Sequence, residues 1–379
     1  MKKQLTVILG AGFSANADMP IANDINKMFN RDLKNKILRI SSDEWFWIDD
    51  KSKNFVHNGQ LGFDHIGYSY ILNEIVQEYS NHNKEFINYE DFYQYIIDNF
   101  QNLTWVENLF SKAKETLLIE RPEFMDNSSY LFIFENKKYS KILDIINYLI
   151  TDLLSKFKKN DEEIKKTYDN FIQYINKFNE VDIFTLNHDL LLERILELNE
   201  IEFSKGFNIL NSNIFYEKNP LPTFDNNFNA NIRIYKLHGS IDFYEYKHYL
   251  SENGTFYKFA GETDFYISKN YYEIHGSLRQ NENNEIIQNY NFDVVPKFIT
   301  GNNKTSLIEN SKLFRSFYET FTNVIENSSN LLVSGYSFRD NHINNIIKNK
   351  YFNFLNHNRS EKYPFLGKGK NIITFDELL

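Results

Sequence analysis

Four times along this 379-residue chain an apolar run of strand length ends in a short polar or glycine-bearing turn. The runs are "LTVIL" before "GAGFS", "VDIF" before "TLNHD", "NIRIY" before "KLHGSID" and "NLLV" before "SGYSFRD". The second and fourth lead straight into the helical patterns "LLLERILEL" and "NHINNII". Continuous apolar strands alternating with helices predict an α/β protein with a Rossmann-like, doubly wound parallel sheet. In such a sheet ligands bind beyond the carboxyl ends of the strands, where all four turns fall.

The rest of the chain is assigned around that frame. "PIANDINKMFNRDL" has helical spacing at Ile21, Ile25, Met28, Phe29 and Leu33. From about 41 to 179 the pattern is mainly helical, clearest in "EDFYQYIIDNFQNL" and "YSKILDIINYLITDLLSKF", and predicts an inserted helical subdomain. The sheet domain is expected over 1–40 and 180–379. "SLIENSKLFRSFYETFTNVIEN" reads as a helix, "NYNFDVVPKFITG" as a short strand and loop, and "NIITF" as a last strand. Segments 205–230 and 279–291 read as loops. The start, "MKK" followed by "LTVILGAG" with "ANA" at 15–17, has the outline of a secretion signal. The element is short and broken by glycines, so strand and turn are the preferred reading.

Cysteine is absent, which removes disulfides, thiol nucleophiles and a Cys-ligated zinc module. The formal net charge of −9 gives no long-range attraction to phosphate, so direct nucleic-acid binding is not expected. Aromatic residues make up 17% of the chain, which favours a well-packed interior and homo-oligomeric interfaces. No apolar run approaches the length of a spanning helix, and a cytoplasmic location is expected.

Each turn offers particular side chains. Gly10, Ala11 and Gly12 would let the backbone turn tightly and approach a phosphate, with Ser14 adding a hydroxyl. Asn187 and Asp189 are one residue apart and point to the same side if the strand end is extended. Asp189 can instead cap the following helix. His238 follows a strand and precedes a glycine, a place for a general base. His275 repeats the tripeptide His-Gly-Ser, but a polar, Asn-rich stretch follows it where "IDFY" follows His238, so His238 is preferred. Gly335 and Ser337 repeat the small-residue turn, and Asp340 reads as a helix cap. The third glycine of the dehydrogenase fingerprint, the P-loop pattern, HExxH and GxSxG are all missing.

Taken in order, Gly10-Ala11-Gly12 with Ser14 and Pro20, then Thr185, Asn187 and Asp189, then His238-Gly239, then Gly335 and Ser337 resemble the sirtuin family. The likeness covers about 1–20 and 180–345. The four-Cys zinc module of deacylase sirtuins is missing, as is their Pro and aromatic pair after the first glycines. "KLHGSIDF", "VVPKF" and "GYSFRDNHINNII" are more similar to the sirtuin-like domains of bacterial antiphage defence systems. That resemblance implies NAD+ as substrate, nicotinamide and ADP-ribose as products, and no metal. It implies Asn187 and His238 as catalytic residues, and Gly10, Ala11, Gly12, Ser14, Asp189, Gly335 and Ser337 as the cofactor-binding set. Asp189 would hold the nicotinamide carboxamide. It also implies partner gating, with a HerA-type hexameric ATPase as the expected partner of a stand-alone chain. An NAD-dependent deacylase, an ADP-ribosyltransferase and a non-catalytic NAD or ADP-ribose sensor are the alternatives.

Overall fold

The structure, a computed structural model, describes residues 3–39, 44–48, 65–83, 88–126, 128–136, 139–210, 212, 214–252, 256–268, 278–280, 286–288, 291–292, 295–299, 304–359 and 361–378. His275 and most of 279–291 lie outside them.

The protein is α/β. Its central sheet has seven strands: β1 (Gln4–Leu9), β2 (Glu180–Thr185), β3 (Phe203–Ser204), β4 (Ile232–Lys236), β5 (Asn330–Ser334), β6 (Tyr351–His357) and β7 (Leu366–Ile372). They lie in the order β7-β6-β5-β1-β2-β4-β3, and every pair is parallel. This order is compatible with a Rossmann-like fold. From β1 the chain first builds outward through β2 to β4, then crosses to the other side of β1 for β5. The switch of direction therefore lies between β1 and β5.

Alternation along the strands feeds two separate cores. Leu5, Val7, Leu9, Ile183, Ile234 and Leu332 face one side, where they meet helices α1 (Ala11–Ala15), α2 (Asp161–Ile175) and α3 (Leu191–Leu198). Ile8, Phe184, Tyr235, Leu331 and Val333 face the other, against α4 (Lys312–Asn327) and α5 (Asn341–Ile347). Burial on both faces is why these strands read as unbroken apolar runs.

The two edges of the sheet differ. β3 is only two residues long, while β7 is exposed over Leu366–Lys370, with Gly and Lys alternating along it. That composition carries no apolar signal. The expected last strand, "NIITF", overlaps β7 only at its first residues. β6 follows α5 closely: the helix stops at Ile347 and Tyr351 opens a half-buried strand. Segment 205–230, expected as loop, contains four short strands, and Phe243–Glu252 pairs with Phe256–Ile267 in an antiparallel hairpin.

The chain divides into two compact units. One comprises Met1–Met19, Phe157–Ile299 and Lys304–Leu379, and the other Pro20–Lys156 and Thr300–Asn303. These bounds differ from the expected 40 and 180. α2 belongs with the sheet, because Ile164, Tyr168, Phe171, Ile172 and Ile175 are buried among the β1 and β2 side chains. The second unit is mainly helical. In it helix Ser140–Leu154 holds the Trp45–Trp47 strand, through Trp47 Nε1 to the Leu149 carbonyl (2.9 Å) and Trp47 N to Asp152 Oδ2 (3.0 Å).

At the switch, the turn after β1 lies against the turn after β5. Gly10 N donates to Ser334 O (3.0 Å) and Gly12 N to Gly335 O (2.9 Å). Gly335 has φ +68°, and a Cβ on it would stand 1.9 Å from Phe13 N. The conformation alone costs a side chain about 1–3 kcal/mol, and the overlap adds to that. Gly335→Ala is therefore expected to destabilise the protein by more than about 3 kcal/mol, measured by urea denaturation.

Candidate active site

The register aligns the carboxyl ends of the four central strands, with Leu9 beside both Ser334 and Thr185, and Thr185 beside Lys236. The four turns thus meet along one edge of the sheet.

Ser14 is the meeting point of the first two. Asn187 Nδ2 donates to Ser14 Oγ (2.9 Å) and to Gly10 O (3.0 Å). The Ser14 hydroxyl is also one of the groups that favour the ionised form of the Asp189 carboxylate. Asp189, one residue before the N-cap Leu190, accepts from Leu191 N (3.0 Å) and so satisfies the first N–H of α3. Burial raises its pKa, opposed by the Lys236 charge and by these two donors.

The glycines do a different job from the one expected. A Cβ on Gly10 or Gly12 would come 2.7 Å from the backbone of the Gly335 turn. They let two turns touch, and the Gly12 N–H is spent on Gly335 rather than offered to a phosphate. Ala11 is exposed on α1. Ser337 is exposed and is hydrogen-bonded to none of the other candidates among the described residues.

Beneath the turns lies a charge network that sequence reasoning did not find. Lys236, 1% exposed, donates to the backbone carbonyl of Asp189, lies 3.5 Å from that of Asn187, and pairs with Glu193 (3.3 Å). Lys205 pairs with Asp242 (2.6 Å) and Glu193 (3.4 Å). Two ammonium groups thus balance two carboxylates away from water. Burial pushes the Asp242 carboxyl up, but the charges of Lys205 and Lys236 outweigh it and hold its pKa below the usual value. The available signal was a charge inside an apolar run, as in "RIYKLHG" and "SIDFY".

His238 is 5% exposed, and its Nε2 lies 3.3 Å from His342 Nε2 and 3.9 Å from Asp340 Oδ1. Burial, and then the nearby charge of Lys304, lower its pKa well below the ordinary value, so the ring is neutral at pH 7. His342 is lowered by the same two causes, against the opposing pull of Asp340. Burial takes His188, whose ring centroid is 6.4 Å from that of His238, down to about 3. Asp340 stands at the N-cap position of α5, but its side chain makes no capping bond. It accepts from Lys304 Nζ instead (3.0 Å), which corrects the capping role read from the sequence.

The ligating atoms of His238, Asp340 and His342 lie within 4.8 Å of one another, a spacing a metal ion could use. Lys304 already neutralises that carboxylate, however. A divalent ion there would leave two cations facing one anion in a buried place. Among the described residues no helix is long and apolar enough to cross a membrane. The sequence matches no protein-family model and no curated protein.

Two measurements test this account. Lys205→Met leaves the buried Asp242 carboxylate without its ion-pair partner and is expected to cost about 3–5 kcal/mol in urea denaturation, part of which Asp242→Asn recovers in the double variant. His188, with a folded pKa of about 3 against an unfolded 6.5, binds protons first in the unfolded chain. Its contribution is full above pH 6.5 and is lost as the pH falls toward 3, by up to about 1.4 kcal/mol per pH unit. His188→Gln should flatten the slope of stability against pH between 6.5 and 4.5.

Proposed function

We propose that this protein is a sirtuin-like NAD+ hydrolase of the Rossmann-like type, releasing nicotinamide and ADP-ribose. The observation that carries the reading is the convergence of Ser14, Asn187, Asp189 and a neutral His238 on one edge of a parallel sheet, beside its switch point. In this reading NAD+ lies across the carboxyl ends of β1, β2, β4 and β5. The bond broken joins ribose C1′ to the nicotinamide nitrogen. Nicotinamide leaves a cationic glycoside as a neutral molecule, so no general acid is required. The transition state resembles an oxocarbenium ion.

His238, neutral at pH 7, accepts a proton from water or a ribose hydroxyl. Asp189 faces the nicotinamide carboxamide. The Asn187 amide has both its donor contacts inside the protein, to Gly10 and Ser14. It thereby holds the first turn against the second, and its carbonyl oxygen is the atom that orients the ribose or the attacking water. With no zinc module to help form a peptide cleft, water is the simplest acceptor.

We further propose that the hydrolase serves bacterial antiphage defence by depleting NAD+ in the cytoplasm. It would act as a homo-oligomer gated by a partner of the HerA-type ATPase class. A second reading, a non-catalytic NAD or ADP-ribose sensor, is favoured by the same internal satisfaction of Asn187.

The test is chromatography of nicotinamide and ADP-ribose after incubation with NAD+, with and without a co-purified ATPase. Turnover is expected. His238→Ala should lower kcat by about 10²–10⁴-fold. Asn187→Ala should lower it by at least about 10²-fold, through lost positioning. NAD+ bound but unchanged under every condition establishes the sensor instead. Nicotinamide release that depends on an added acyl-lysine or protein acceptor establishes transfer rather than hydrolysis.

A further inference from the structure

We propose that His357 is a positioning residue of the candidate site: it locks the turn after β5, and through it the turn after β1, to the chain segment 373–378. The consequence for catalysis rests on the hydrolase reading, whereas the lock itself is a property of the protein alone.

The register sets His357, the last residue of β6, between Ser334 of β5 and Ile372 of β7. Ser334 is fully buried, so its hydroxyl must find a partner inside the protein. The partner is His357 Nδ1, at 2.8 Å. The other ring nitrogen, Nε2, lies 3.1 Å from the carbonyl oxygen of Ile373. A carbonyl can only accept, so Nε2 carries the hydrogen of the neutral ring and Nδ1 carries the lone pair. Ser334 therefore donates to Nδ1. Burial lowers the pKa of His357, against the pull of the Ile373 carbonyl and of Glu377, and the ring is neutral at pH 7. The backbone adds a third bond, since the His357 carbonyl accepts from Gly335 N (3.0 Å). One residue thus holds both Ser334 and Gly335, whose carbonyls take the N–H groups of Gly10 and Gly12.

The far end of the lock is fixed as well. Glu377 Oε1 accepts from Ile373 N (2.7 Å) and Thr374 N (3.3 Å), which folds the segment back on itself. The Phe375 ring centroid lies 4.3 Å from that of His357 and 5.9 Å from that of Phe13. Phe13 stands between Gly12 and Ser14, and its carbonyl accepts from Tyr168 Oη (2.6 Å). The contacts close a ring, from Phe13 through Phe375, His357 and the Ser334–Gly335 turn back to Gly10 and Gly12. Asn187 bonds to Gly10 O and Ser14 Oγ, two atoms of the turn that this ring holds.

Packing alone does not call for a histidine here. An apolar ring at 357 would keep the contact with Phe375, and with alanine at 334 no buried hydroxyl would lack a partner. What the imidazole adds is direction, because its two polar ends are both satisfied in only one arrangement of the turn. His357 touches no reacting atom and acts through the turn.

The experiment is amide hydrogen exchange, read by NMR on the full-length protein at pH 7.5. Wild type is compared with His357→Phe, His357→Asn and the double variant Ser334→Ala/His357→Phe. Exchange at Gly10 and Gly12 is expected to be at least about 10-fold faster in His357→Phe and in the double variant, with Ile183 and Phe184 of β2 unchanged. In His357→Asn the side-chain oxygen replaces Nδ1 as acceptor, and most of the protection should return. Unchanged exchange at both glycines overturns the inference. So does an equal acceleration at Ile183 and Phe184, which would mean a general loss of stability. In the kinetic arm, the double variant should release nicotinamide with kcat about 10–100-fold lower and KM within about threefold, while His357→Asn restores most of the loss. A kcat within about twofold of wild type overturns the role in the site. If the wild type releases no nicotinamide, the hydrolase reading fails, and the exchange data still decide whether His357 holds the turns.

Discussion

The contact between two backbone turns at the switch point governs the rest of the site. β1 and β5 lie side by side, yet they come from opposite ends of the chain. Their turns approach so closely that neither can carry a side chain at the contact. Gly12 gives its N–H to Gly335, and Gly10 gives its carbonyl to Asn187. The first turn is thereby fixed on two sides, and Ser14 is fixed with it. The position of Asn187 and Asp189 relative to β1 depends on that fixed turn.

The buried ion network does for the second turn what the glycines do for the first. Lys236 reaches from the end of β4 to the backbone carbonyls after β2. A buried ammonium is costly unless fully partnered, and its partners are the carbonyls that shape the site and the carboxylate of Glu193. The network confers little stability compared with an apolar core of the same volume. What it supplies is a fixed geometry, since each charge has one place where it is satisfied.

The parts of the fold legible in the sequence are those buried on both faces. β1, β2, β4 and β5 announce themselves because both of their faces meet apolar cores. β6 alternates and merges with the helix before it, and β7 has almost no buried side chains to betray it. The site divides the same way. Ser14, Asn187, Asp189 and His238 sit at recognisable strand ends, and the structure brings the first two into direct contact. His342 was invisible, since β5 and β4 are separated by two strands in the sheet and only the folded turns bring His342 to His238. Asp340 looked like a cap because its position is a capping one. The glycines were singled out for the approach of a phosphate, but a sequence cannot tell whether a missing side chain makes room for a ligand or for another stretch of backbone, and here it makes room for backbone.

The sheet is also closed to extension. At one border stands a strand of two residues, too short to template another chain. At the other, Lys368 and Lys370 stand exposed beside glycines, so an incoming strand would meet charge and find no apolar ladder to join. Copies of this protein therefore cannot assemble by continuing the central sheet from one into the next, and the strand pairing around the site is complete within one chain.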